Sequence, residues 1–103
     1  MKYLLLGAGL QGTAIAHDLL RHAGDTTSLV AVDADGDALE RLAARFGDPR
    51  LRTRPGYVQD QAFLAPLLED ADVAISAVNY WYNAPLAAQA VAHGTHFLDL
   101  GGN

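Results

Sequence analysis

Leu4 to Ala14 reads LLLGAGLQGTA, an apolar run interrupted by three glycines at the spacing G-x-G-x-x-G. Glycine in such a pattern serves a chain that must leave a strand, turn tightly and enter a helix. The triplet alone is shared by turns that hold no ligand and by turns that cradle a dinucleotide. Three neighbouring features favour the second use. The triplet follows a strand-like run, and it opens a segment of helical period. Asp33, closing the next strand-like run, stands 21 positions after the last glycine, against an expected spacing of about 20.

Each residue of the turn then has an expected task. Gly7 permits the tight turn, Gly9 lets the backbone approach a pyrophosphate without a Cβ in the way, and Gly12 lets the first helix pack close to the sheet. The N–H groups of Leu10, Gln11 and Gly12 point at the phosphates from a helix N-terminus, where the macrodipole contributes about 0.3–1 kcal/mol. Asp33 accepts hydrogen bonds from ribose hydroxyls, each worth about 1.5–3 kcal/mol, and repels a 2′-phosphate. Ala34 and Asp35 follow it with no arginine beside them, so NAD is expected in preference to NADP. The alternative for Asp33 is a cap or loop acid.

The rest of the chain alternates leucine-rich or β-branched runs with helical-period segments, the pattern of β-α-β units on a parallel sheet. Strands are expected at Lys2–Gly7, Ser28–Asp33, Leu51–Arg54 or on to Val58, Val73–Val78 and His96–Leu100. Helices are expected at Leu10–His22, Asp37–Phe46, Gln61–Leu68 and Ala84–His93, each with an apolar stripe such as Leu39, Leu42, Phe46. Asp35 or Asp37, Asp60 and Asn83 are candidate caps, and Gly24, Gly47 and Gly94 follow helix ends where left-handed backbone is common. Right-handed crossovers then give an α/β, Rossmann-like doubly wound parallel sheet of five strands in the order 3-2-1-4-5. The chain closes on a strand followed by Gly101-Gly102-Asn103, and so reads as one truncated dinucleotide-binding domain over residues 1–103.

Composition bounds what such a domain can meet. Half the residues are hydrophobic and the formal net charge is −5, which argues for a folded core and against a phosphate-backbone partner such as DNA or RNA. The apolar runs are too short to span a bilayer. No targeting signal is read, so the cytoplasm is the expected compartment. Cysteine is absent, which excludes disulfides and thiol chemistry. Arg50, Arg52 and Arg54 alternate as the outward face of an edge strand would. His17 and His22 lie five apart and His93 and His96 flank Gly94, spacings that do not align two ligands on a helix, so no metal is expected.

The fourth strand ends in AVNYWYNAP, at the carboxyl edge where open parallel sheets bind ligands. Ala77 and Val78 there are counted with the cofactor-binding residues. Tyr80, Trp81 and Tyr82 read either as a wall for the nicotinamide or as cover for a further domain. Asp99 reads as a strand-end acid or a substrate contact. No Ser/His/Asp arrangement or paired carboxylates stand out, and the catalytic residues stay unassigned.

LLLGAGLQGTAIAHDL, AVDAD, DADVAISAV with its aromatic-Asn-x-Pro-Leu continuation, and GTHFLDLGGN together resemble the N-terminal nucleotide-binding domain of the saccharopine dehydrogenase-like family, which includes lysine 6-dehydrogenases. The closing G-x-H-aromatic-x-D-L-G-G stretch is the most specific part. The resemblance implies a nicotinamide-dependent oxidoreductase acting on a carbon–nitrogen bond of an amino acid, held by a second domain absent from this chain. It also implies that Gly7, Gly9 and Gly12 form the phosphate turn and Asp33 the ribose acid. Tyr57 stands where the family commonly places an acid near adenine, and Asn79 where a proline is frequent. The rival expectation is a nucleotide-sensing module that performs no chemistry; a flavin-binding or methyl-donor-binding variant is a third, and a homodimer is left open.

Overall fold

A computed structural model of the chain describes residues 1–99. Strand and helix alternate as β1 (Lys2–Leu6), α1 (Leu10–Arg21), β2 (Ser28–Asp33), α2 (Gly36–Phe46), β3 (Leu51–Pro55), α3 (Gln61–Glu69), β4 (Val73–Ser76), α4 (Asn83–Ala92) and β5 (His96–Asp99). All neighbouring strands are parallel, in the order β3-β2-β1-β4-β5. The order reverses between β1 and β4, which is where this topology leaves a crevice at the carboxyl edge.

Parallel strands covered on both faces must be apolar on both faces, and β1 is. Leu5 packs into one core with Ala16 and Leu20 of α1 and Leu39, Leu42 and Phe46 of α2. Leu4 and Leu6 point the other way, into a second core with Leu64 and Leu68 of α3 and Leu86 and Ala90 of α4. All three leucines are almost wholly out of water, each burial contributing about 1.5–3 kcal/mol. No helix among the described residues is long and apolar enough to cross a membrane.

Several local expectations are corrected. Asn83 does not cap α4 with its side chain: it is the first residue of that helix, and its Oδ1 accepts from Ser76 Oγ at 2.7 Å. A short polar side chain beside a buried hydroxyl satisfies the hydroxyl instead of the helix end. Gly24 is not left-handed; positive φ occurs at Gly7, Gly47 and Gly94. The chain leaves the sheet after Ser76, two residues before the expected end of β4, and makes a 3₁₀ turn at Tyr80–Tyr82, closed by Tyr82 N–H donating to Asn79 C=O at 3.0 Å. Leu100 and the glycines beyond it lie outside the described residues.

Arg50 departs from the edge-guard expectation. Arg52 and Arg54 are exposed on the edge strand β3, but Arg50 turns back to donate to the Leu20 and Thr26 carbonyls and to the Asp48 carboxylate at 2.7 Å. The Arg50 guanidinium and backbone hold the Asp48 pKa down to about 2. This latch precedes a strand, as do Lys2 N–H to Asp72 Oδ2 at 2.8 Å, Thr26 Oγ1 to Leu19 C=O at 2.7 Å and Thr95 Oγ1 to Leu68 C=O at 2.5 Å. In a parallel sheet, side chains that precede strands share one edge, so these ties gather at the amino edge, opposite the crevice.

Candidate functional site

The three glycines of the first turn differ in what demands them. Gly7 has φ +111, and an added Cβ would stand 2.8 Å from the Ala77 carbonyl oxygen and 3.3 Å from Val78 Cγ1. Gly12 is buried on α1, and a Cβ there would collide with the Gly7 carbonyl. Both are therefore needed to close the turn against β1 and β4. Gly9 is not: it is exposed, has φ −76, and a Cβ would meet nothing within 4 Å. The space that the fold keeps clear above Gly9 lies outside the protein.

Gly9 also precedes a helix whose first turn no side chain caps. Asp35 caps α2 by accepting from Asp37 and Ala38 N–H, and Asp60 caps α3 by accepting from Phe63 N–H. At α1 the first intrahelical bond is Thr13 N–H to Gly9 C=O at 2.9 Å. The N–H groups of Leu10, Gln11 and Gly12 precede it and point outward at the positive end of the helix. The donor set and the open approach suit an anion.

Asp33 ends β2 beside this turn. Its Oδ2 accepts from Ala8 N–H at 2.8 Å and its Oδ1 from Asp35 N–H at 2.9 Å. A carboxylate offers about four lone-pair sites, so both oxygens retain capacity for hydroxyl donors. Asp33, Tyr57, Val58, Val78 and Tyr82 border a cleft of about 250 Å³. A second groove, of about 360 Å³, runs between α1 and α2 and is bordered by Gly9, Thr13, Arg41 and Arg45. Ala8, the residue that donates to Asp33, lines that second groove as well.

The sequence-derived residues thus come together: Gly7, Gly9, Leu10, Gln11 and Gly12 form the turn, Asp33 is bonded to it, and Ala77 and Val78 lie against Gly7. Tyr57, 65% exposed, borders the cleft, as does Tyr82, whose hydroxyl accepts from Gln59 Nε2 at 3.2 Å. Tyr80 and Trp81 are exposed instead, stacked edge to face at 5.4 Å. Asp99 is exposed on β5, level with Ser76 in register.

Two features escaped the sequence reading. Arg41 and Arg45 reach the groove because Ala38, Arg41, Leu42 and Arg45 recur at three- and four-residue spacing along α2; the helical stripe was the signal, while residues adjacent to Asp33 contained no arginine. His17, Asp18 and His22 also meet, contrary to the spacing argument, because the chain leaves α1 at His22 and the ring swings back to 5.2 Å from that of His17. Their ligand atoms all lie within 4.8 Å of one another, with His17 Nδ1 3.9 Å from Asp18 Oδ1.

Residues 3–102 match the family described as the saccharopine dehydrogenase NADP binding domain. Among solved structures, the chain is similar to an apo saccharopine dehydrogenase (L-Glu forming) from Saccharomyces cerevisiae, at 23% identity and TM-score 0.78, covering 95% of this chain and 21% of that one. It is also similar to scyllo-inositol dehydrogenase from Lactobacillus casei with bound NAD(H), at 14% identity and TM-score 0.75, covering 96% and 27%. The 3-ketoreductase KijD10 from Actinomadura kijaniata, in complex with NADP, gives 21% identity and TM-score 0.71, covering 96% and 28%. These likenesses show the shared fold, and the chain spans less than a third of each of the three.

Proposed function

The chain belongs to the saccharopine dehydrogenase NADP-binding domain family, and from that premise we propose that it carries the nicotinamide dinucleotide of an oxidoreductase acting on a carbon–nitrogen bond of an amino acid. The observation that carries the reading is Gly9, a glycine that no contact within the fold requires, set in front of an uncapped helix. In this reading the N–H groups of Leu10, Gln11 and Gly12 hold the pyrophosphate, and Asp33 accepts from the adenosine ribose while keeping its bonds to Ala8 and Asp35. The base occupies the cleft beside Tyr57, whose exposed ring offers a stacking face.

When bound, the dinucleotide supplies the carbon that gives or takes hydride. This chain's own residues bind, orient and shield it. The amino-acid substrate and the groups that move protons belong, in this proposal, to a further domain. Asp33 supports NAD, since its charge opposes a 2′-phosphate; Arg41 and Arg45 act in the opposite sense.

Titrating the chain with NADH and with NADPH by nicotinamide fluorescence tests the reading. Saturable binding is expected, weakened by more than tenfold in the double variant Gly9→Val, Asp33→Ala. Undiminished binding by that variant, with the fold intact by circular dichroism, sinks it.

A further inference from the structure

Away from the crevice, among the described residues, metal-ligating side chains converge at the C-terminal end of α1, where His17, Asp18 and His22 meet. Asp18 and His22 stand at i and i+4, the spacing that stacks two side chains on one helical face, and His22 N–H still donates to Asp18 C=O at 2.9 Å. His17 lies off that face. It joins the pair because His22 closes the helix with φ −120, outside the helical range, which brings the two imidazole rings to 5.2 Å. His17 Nδ1 stands 3.9 Å from Asp18 Oδ1.

The surroundings leave these groups available to a cation. His93 is engaged by Glu69 at 2.9 Å, whereas neither the His17 nor the His22 ring has a hydrogen bond among the described residues, and all three members of the cluster are exposed. The end of a helix carries roughly half an elementary negative charge, in a chain whose net charge is −5. The neighbouring cation is spent elsewhere: Arg21 lies 5.8 Å from the centroid of the Phe46 ring and donates to the Phe46 carbonyl at 3.4 Å. Two ligands about 2.1 Å from a tetrahedral zinc ion stand about 3.4 Å apart, so groups already within 4.8 Å close on an ion by rotating exposed side chains, with the backbone unmoved. Two imidazoles with one carboxylate suit zinc, copper or nickel, and not magnesium or calcium, which prefer oxygen alone. We infer that His17, Asp18 and His22 bind a divalent transition-metal ion of the zinc class, with water in the remaining position, and that the ion clips the last turn of α1. With 12 residues in α1, the site lies about 18 Å from Gly9, and it stands whether or not the turn holds a dinucleotide.

Calorimetric titration of the chain, prepared without a histidine tag, with zinc chloride and with magnesium chloride tests the site. One equivalent of zinc binds and magnesium does not; zinc raises the melting temperature and a chelator reverses the rise. His17→Ala and His22→Ala are each expected to weaken zinc by more than the roughly tenfold that disturbing an outer-shell partner costs. Asp18→Asn weakens it as well, by removing the charged ligand. His93→Ala, outside the cluster, keeps the parent affinity. Metal-free melting of each variant, expected at the parent's temperature because the replaced side chains are exposed, separates loss of a ligand from loss of the fold. A parent that takes up no zinc overturns the assignment, as does undiminished binding by the double variant His17→Ala, His22→Ala. Loss of zinc in His93→Ala alone also overturns it.

Discussion

At the scale of single residues, Gly7 and Gly9 sit two positions apart in one turn and answer to different masters. Adding a methyl at Gly7 sets it against the Ala77 carbonyl with φ at +111, and at Gly12 against the Gly7 carbonyl. Each alanine variant is expected to cost about 1–3 kcal/mol in chemical denaturation. Gly9→Ala meets open space, and its unfolding free energy should stay within about 0.5 kcal/mol of the parent while dinucleotide affinity drops. Asp48 supplies a pH signature. Its pKa is lowered to about 2 by Arg50, against about 3.9 in an unfolded chain, so its stabilisation is complete above pH about 4 and is lost as pH falls through about 2. Asp48→Asn should therefore melt below the parent at pH 7, and the two melting curves should converge toward pH 2. The glycines and Asp33 were legible in the sequence because their geometry is local to one turn and one strand end. Arg41 and Arg45 were not, because helix α2 brings them to the groove from well beyond Asp35 in the chain.

At the scale of elements, caps decide where helices begin. Asp35 accepts from Asp37 N–H at 3.0 Å and from Ala38 N–H at 3.3 Å, and Asp35→Ala is expected to destabilise the fold by about 0.5–2 kcal/mol in urea melts. Asn83→Ala acts through another route. It leaves the Ser76 hydroxyl, which is buried, without its acceptor, a loss of about 1–3 kcal/mol that the double variant Ser76→Ala, Asn83→Ala should partly restore. Strand and helix bodies followed from apolar period, since β1 must be hydrophobic on both faces and α2 on one. What the period could not convey was the hand-over from β4 to α4. There Asn83 serves a buried hydroxyl, and a backbone bond from Tyr82 to Asn79 makes the 3₁₀ turn, neither of which leaves a periodic trace.

At the scale of the whole molecule, β1 lies at the centre of the sheet with β2 and β4 beside it, and among the described residues β3 and β5 each have one strand neighbour. Amide hydrogen exchange should accordingly be slowest in β1, intermediate in β2 and β4, and fastest in β3 and β5; uniform protection across the sheet would contradict the described packing. The strand order was legible because right-handed crossovers leave few alternatives, whereas the pairing of Arg50 with carbonyls of a distant helix end was not, being a long-range contact with no spacing rule. The ties at the amino edge join Lys2 to Asp72, Arg50 to Asp48 and Thr95 to Leu68, a whole strand length from the glycine turn. These ties therefore contribute to heat tolerance from the pole opposite the glycine turn. A sturdier version of this domain could be bred by altering the base alone, leaving the glycine turn untouched.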